Sequence, residues 1–258
     1  YASGSRPIAY WHADKLLSNA MNTAQLLPLT PENFLQSVLG LRPRIAAFDC
    51  DGTLWSGDAG ENFFAWEIEK GLVSPGVARA MRDRYAEYKA GKVTEEDMCG
   101  EMVSMHRGLT EAAMMMAARE FMSSAFPGRI FPEMMDLVRR LQQQDCEIWA
   151  VSSSNEWIIR AGLEQFGIDA DRILAAKAQM NGELVGETLV RVPSGPGKPK
   201  ALREVVKKEI DAAFGNSRWD AEMLMMARHA FAVNPNPDLE VIAREQGWTI
   251  YFPDGTGR

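Results

Sequence analysis

The chain is poor in cysteine and has no long apolar run. Its 258 residues include three cysteines, Cys50, Cys99 and Cys146. They lie far apart with no CxxC pairing, which argues against a metal–thiolate site and against a disulfide framework. Cys50 and Cys146 fall in apolar runs and read as buried thiols. No stretch is long enough to span a bilayer, and no signal peptide is visible. A cytoplasmic location is expected, or a periplasmic or secreted one if a leader preceded Tyr1. A basic excess is missing too. The formal net charge is -7, and the densest basic groups, Arg79-Arg82-Arg84 and Lys207-Lys208, read as solvated helix faces. With no cationic surface to neutralise phosphates, nucleic acid is not an expected partner. There is no internal repeat and no low-complexity segment.

What is present is an ordinary globular composition, 46% hydrophobic and 24% charged, enough for one large domain or a core with an inserted lobe. Ala9–Leu27 reads as a helix. Thr30-Pro31 caps a second helix over Glu32–Leu39, which Gly40 and Pro43 end. Arg44–Phe48 is a buried strand running into the polar loop Asp49-Cys50-Asp51-Gly52-Thr53. Residues 57–127 then carry four helical patterns, Glu61–Lys70, Ser74–Ala90, Thr94–Arg107 and Thr110–Ser124, and no strand.

From Pro127-Gly128 strands and helices alternate. Strands are predicted at Cys146–Val151, Ile173–Ala178, Leu184–Val192, Ala212–Phe214, Ala230–Val233 and Thr249–Tyr251. Helices are predicted at Pro132–Gln144, Glu156–Phe166, Lys200–Glu209 and Asp220–Ala227. Asn181-Gly182 reads as a hairpin turn. The fold class expected is α/β: a Rossmann-like, mostly parallel sheet with helices on both faces and an inserted all-helical cap. The divisions are 1–56 for the N-terminal helices and first core strand, 57–127 for the cap and 128–258 for the rest of the core.

Four motifs end strand-like runs. Asp49 and Asp51 lie two positions apart just past a buried strand. Like charges there raise each other's pKa unless a cation compensates, and oxygen-only ligation favours magnesium. Alternatively they form an acidic turn. Ser152-Ser153-Ser154 precede a helix, where hydroxyls and amides bind an anion or merely cap. Gly195–Lys200 offers Lys198 or Lys200 as a point charge for a phosphoryl oxygen, or two solvated lysines. Asn216 and Asp220, four apart at a helix start, offer two more oxygen ligands or a capped helix. Strand ends converge in a parallel sheet, so together these form a phosphoryl-transfer kit.

This order and spacing resemble the haloacid dehalogenase superfamily, specifically its phosphoserine-phosphatase-like members, over residues 44–252. The resemblance implies Asp49 as a nucleophile that becomes an aspartyl phosphate, Asp51 as general acid/base, Ser152 as phosphoryl-binding hydroxyl and Lys198 as the family lysine. It implies Asp49, Asp51, Asn216 and Asp220 around Mg2+, and Gly52, Thr53, Asp58, Ser153 and Ser154 at the substrate. Asn216 stands where the family's fourth motif opens with Asp. The expected partner is a small-molecule phosphomonoester. Asp58 matches a glutamate that meets the substrate amine, and Met102 falls where a cap arginine holds a carboxylate, unless a shifted register brings in Arg107. These imply an amine-bearing substrate such as phosphocholine, phosphoethanolamine or phosphoserine, with Met102 disfavouring the last. Trp55, Phe63, Phe64 and Trp66 either bind a quaternary ammonium beside Asp58 or pack the cap. A phosphotransferase with the same intermediate, or a non-catalytic anion-binding module, is the alternative. A dehalogenase would leave Asp51 without a purpose, since a halide needs no proton.

Overall fold

The computed structural model describes residues 29–254. The helix expected over Ala9–Leu27 lies outside them. Seven strands form one sheet in the order β4-β3-β2-β1-β5-β6-β7. They are β1 (Ile45–Phe48), β2 (Glu147–Asn155), β3 (Ile173–Asn181), β4 (Leu184–Arg191), β5 (Ala212–Gly215), β6 (His229–Val233) and β7 (Thr249–Tyr251). Every pairing is parallel except β3 with β4, the hairpin expected at Asn181-Gly182. The α/β class and mostly parallel sheet are as expected.

Alternation along each strand decides which face a side chain covers. Ala46 and Phe48 of β1 join one buried cluster with Phe34, Leu137 and Trp157. These come from α1 (Pro31–Leu39), α6 (Pro132–Gln143) and α7 (Glu156–Leu163). Ile45 and Ala47 join another with Leu202, Leu224 and Leu239. Those lie on α8 (Gly197–Val205), α9 (Ala221–Met226) and α10 (Pro237–Gln246). The register places Phe48 beside Phe214 and Phe214 beside Phe231. Their rings stack at 4.2 and 4.9 Å, a ladder that ties together the adjacent strands β1, β5 and β6. Thr30 caps α1 by accepting from the Asn33 amide, as the sequence predicts.

Between β1 and β2 lie α2 (Ala59–Lys70), α3 (Pro75–Lys89), α4 (Glu95–Ser104) and α5 (Glu111–Ser124), followed by α6. Phe64, Ile68, Met81 and Met98 bind α2, α3 and α4 together in a separate small core. α5 instead puts Met114, Ala118 and Phe121 into the main core. No helix of the described residues is long and apolar enough to cross a membrane.

Three boundaries differ from expectation, and each bears on the site. β2 runs through the serines to Asn155, which caps α7 by accepting from the Ile158 amide. The serines are thus freed from capping. α8 starts at Gly197 and ends at Val205, so Lys198 lies in its first turn rather than in a loop. A 3-10 turn over Arg218–Asp220 precedes α9, closed by a capping box between Ser217 and Asp220. Helix α10 has no counterpart in the sequence reading. Its signals are Pro237 at the first turn and Gly247 in the left-handed conformation at its end.

Candidate active site

The carboxyl ends of β1, β2 and β5 meet at one cleft of about 380 Å³. Asp49 follows β1, and its amide donates to the Phe214 carbonyl on β5 at 2.9 Å. Its carboxylate is held at both oxygens. Lys198 Nζ donates to Oδ1 at 2.7 Å and Thr53 Oγ1 to Oδ2 at 2.8 Å. Lys198 also donates to the Val151 carbonyl at 3.1 Å and to Asp220 Oδ1 at 2.5 Å. Its side chain is 2% exposed.

Asp220 does not reach the cleft. Its second oxygen accepts from the Asn216 and Ser217 amides at 3.0 and 2.9 Å and from the Ser217 hydroxyl at 3.1 Å. Thr53 is likewise buried behind Asp49. Asp51 accepts three bonds: from the Trp55 indole at 2.8 Å, the Ala59 amide at 2.6 Å and Ser154 Oγ at 2.7 Å. Ser152 Oγ accepts from the Ser154 amide at 3.1 Å. Ser152, Ser153, Ser154, Asp58, Gly52 and Asn216 all line the cleft. Gly52 has φ +74°, and a Cβ there would meet Asn216 Nδ2 at 1.9 Å. Only glycine lets the Asn216 amide lie over this loop.

Charge is unbalanced. Asp49, Asp51 and Asp220 face a single buried ammonium, that of Lys198. Burial pushes the Asp49 carboxyl up to about 7, helped by Asp220 and opposed by Lys198. Burial also pushes Asp51 up to about 7, with Asp58 adding to it and the Ser154, Trp55 and Ala59 donors resisting. Asp58 caps α2 by accepting from the Glu61 amide at 2.7 Å. Its carboxyl is held at about 6, mainly by the protein packed around it and further by the neighbouring Glu61 and Glu95, against the pull of that amide. Burial works against the Lys198 charge, yet Asp220 and Asp49 outweigh it and hold the ammonium above the ordinary lysine range. Cys50 points into the core, and its thiol is raised well above the ordinary range by burial. Among the described residues, no group of three or more His, Cys, Asp or Glu is arranged to hold a metal ion.

The aromatic alternatives resolve in favour of packing. Phe63 and Phe64 are buried, and Trp55 is buried with its indole committed to Asp51. Phe63 and Trp66 both pack against Phe121. The aromatics at the cleft are Tyr88 and Trp219. Sequence reasoning missed Tyr88 because it looked for rings near Asp58 along the chain, whereas α3 brings this one across space.

A family model described as haloacid dehalogenase-like hydrolase matches residues 46–225. The chain belongs to that family. A histidinol-phosphatase of Neisseria meningitidis is 25% identical over 215 residues, covering 80% of this chain and 97% of the relative. A phosphoserine phosphatase of Mycobacterium tuberculosis is 24% identical, covering 80% and 69%. The hydrolase also matches solved structures in fold. A Bordetella pertussis protein of unknown function has TM-score 0.71 at 20% identity, covering 81% of this chain and 97% of the other. A substrate-bound phosphoserine phosphatase has TM-score 0.55 at 17% identity, covering 81% and 92%. The expectation of a phosphoric monoester hydrolase agrees with the family and with these relatives' names.

Proposed function

We propose that this hydrolase cleaves small phosphomonoesters through an aspartyl phosphate on Asp49. The observation that carries the reading is the placement of Asp49. It sits at the mouth of the central strand, clamped by Lys198 and Thr53, with Asp51 and the serine row across the cleft.

The chemistry follows from these groups. Lys198 supplies positive charge behind Asp49, and Ser152 donates a hydrogen bond to a phosphoryl oxygen. A carboxylate oxygen of Asp49 attacks phosphorus while the bond to the leaving oxygen breaks, its electron pair staying on that oxygen. Asp51 gives the oxygen a proton. Asp51 then takes a proton from water as that water attacks phosphorus, and the bond from Asp49 to phosphorus breaks to release phosphate. A carboxyl near neutrality suits both halves of this exchange.

The residues fit a divalent cation. Three carboxylates against one ammonium leave a deficit of two charges, and Asp49, Asp51 and Asn216 offer hard oxygens at the cleft. Asp49, Asp51 and Asn216 would hold Mg2+, which supplies charge neutralisation at the phosphoryl group when bound. Asp220 is assigned to fixing Lys198, because it is buried away from the cleft and bonded to that ammonium. The helices over residues 57–127 act as the cap that covers the cleft, with the rest of the core to either side.

An amine-bearing substrate is supported by Asp58 at the cleft. Phosphocholine, phosphoethanolamine and phosphoserine fall in that class, as does histidinol phosphate, the ester that the name of the Neisseria relative implies. The test is phosphate release in Mg2+ across such a panel, with Asp49→Asn alongside. The variant should retain the fold and lose turnover by about a thousandfold or more, in line with losses on removing a nucleophile. Retained activity in Asp49→Asn would sink the mechanism. No turnover by wild type on any ester would favour an anion-binding module.

A further inference from the structure

The three donors to Asp51 divide unequally between its oxygens. The Trp55 indole and the Ala59 amide both donate to Oδ1, at 2.8 and 2.6 Å. Ser154 Oγ donates to Oδ2, at 2.7 Å. A carboxylate oxygen has two lone pairs, so those of Oδ1 are filled. Trp55 and Ala59 are buried, whereas Ser154 lines the cleft. The oxygen that Ser154 touches is therefore the one on the cleft side.

Two helical glycines make room for these side chains. Gly60 lies in the first turn of α2, where a Cβ would meet Ser154 Oγ at 2.2 Å and Ser154 Cβ at 2.8 Å. Gly162 lies in α7, where a Cβ would meet Trp55 Cη2 at 3.0 Å and Cζ3 at 3.2 Å. Neither has a positive φ, so neither is needed for its backbone, and glycine within a helix is less stable than alanine. What each supplies is space, one for a hydroxyl and the other for an indole. The two side chains so admitted donate to the same carboxylate. The Trp55 ring also packs against Phe166, with centroids 6.3 Å apart, so its N–H is held on Asp51.

We propose that Trp55 and Ser154 are positioning residues for proton transfer by Asp51, with Gly60 and Gly162 admitting them. The inference rests on the phosphatase reading above. Trp55 and the Ala59 amide pin Oδ1, which leaves Oδ2 as the oxygen that exchanges the proton. In the first half-reaction the Oδ2–H bond breaks and the leaving oxygen takes the proton. The electron pair of the broken phosphorus–oxygen bond stays on that oxygen. Ser154 donates to the carboxylate that results. In the second half-reaction Oδ2 takes a proton from the attacking water. The Ser154 hydroxyl thus acts on Asp51 rather than on the phosphoryl group. Holding a proton donor in one orientation is where such residues contribute to rate.

The test compares kcat/KM in Mg2+ for two esters of similar shape, phenyl phosphate and p-nitrophenyl phosphate. This constant reports the step that forms the aspartyl phosphate, in which Asp51 is the acid. Phenolate needs the proton more than nitrophenolate, whose charge spreads into the nitro group. Trp55→Phe and Ser154→Ala should each lower kcat/KM for phenyl phosphate about tenfold more than for p-nitrophenyl phosphate, within the range that general acid catalysis supplies. The two esters are compared within one variant, so a partly unfolded preparation leaves their ratio unchanged. Gly60→Ala, which keeps the Ser154 hydroxyl but crowds it, should shift the ratio the same way. Equal losses on the two esters in Trp55→Phe and Ser154→Ala would make these residues structural and overturn the inference, while the phosphatase reading stands. No phosphate release by wild type from either ester overturns the phosphatase reading and this inference with it.

Discussion

Lys198 reaches Asp49 across 2.7 Å with both side chains buried. The contact joins the first turn of α8 to the loop after β1, 149 residues apart in sequence. It exists because Asp220 holds the same ammonium from behind.

Removing that ammonium should be costly twice over. Lys198→Met leaves Asp49 and Asp220 facing each other without a cation, and losing one partner of a buried pair costs about 3–5 kcal/mol. A chemical-denaturation midpoint should fall accordingly, and turnover should vanish. Asp220→Asn should show a smaller loss of stability together with a loss of turnover, because Lys198 is no longer fixed. Full activity in Asp220→Asn would contradict its positioning role.

Gly52→Ala tests the loop over the site. A Cβ at φ +74° is strained, and it would collide with Asn216 Nδ2. A destabilisation of about 1–2 kcal/mol is expected from the left-handed backbone alone. Half-saturation by Mg2+ should also shift upward as Asn216 is displaced. An unchanged Mg2+ requirement would argue against Asn216 as a ligand.

The pH dependence of the cation-free protein follows from the buried acids. Asp49 and Asp51 are raised to about 7 and Asp58 to about 6, against about 3.9 when unfolded. The folded chain therefore binds more protons than the unfolded one between those values. The contribution of these groups is fully present below about pH 4 and is lost as pH rises toward about 7. Melting in EDTA should show the temperature falling from about pH 5 to about pH 8, with Mg2+ offsetting the fall. A melting temperature that rises over that range in EDTA would refute the imbalance of charge.

Much of the fold is legible in the sequence because its strands are short, apolar and bounded by turn residues. The Asp49–Thr53 loop stands out for the same reason: two acids closely follow Ile45–Phe48, and no second strand pairs back after Gly52 to make them a plain hairpin turn. Other features depend on space rather than on local pattern. Asp220 and Asn216 look alike along the chain, four residues apart, and only the fold turns Asp220 toward Lys198 and leaves Asn216 over Gly52. Tyr88 of α3 reaches the cleft through helix packing, whereas Trp55, near Asp58 in sequence, faces inward to Asp51. Helix α10 has only a weak apolar face, with Leu239 and Ala243 its buried residues, so its period is easy to miss.

The most direct test of Asp49 as nucleophile is acid quenching during turnover, followed by peptide mapping of bound phosphate. The prediction is an acid-stable, hydroxylamine-labile phosphoryl group on the peptide containing Asp49, absent in Asp49→Asn. Steady turnover with no phosphate on that peptide, or with phosphate on another, would contradict it.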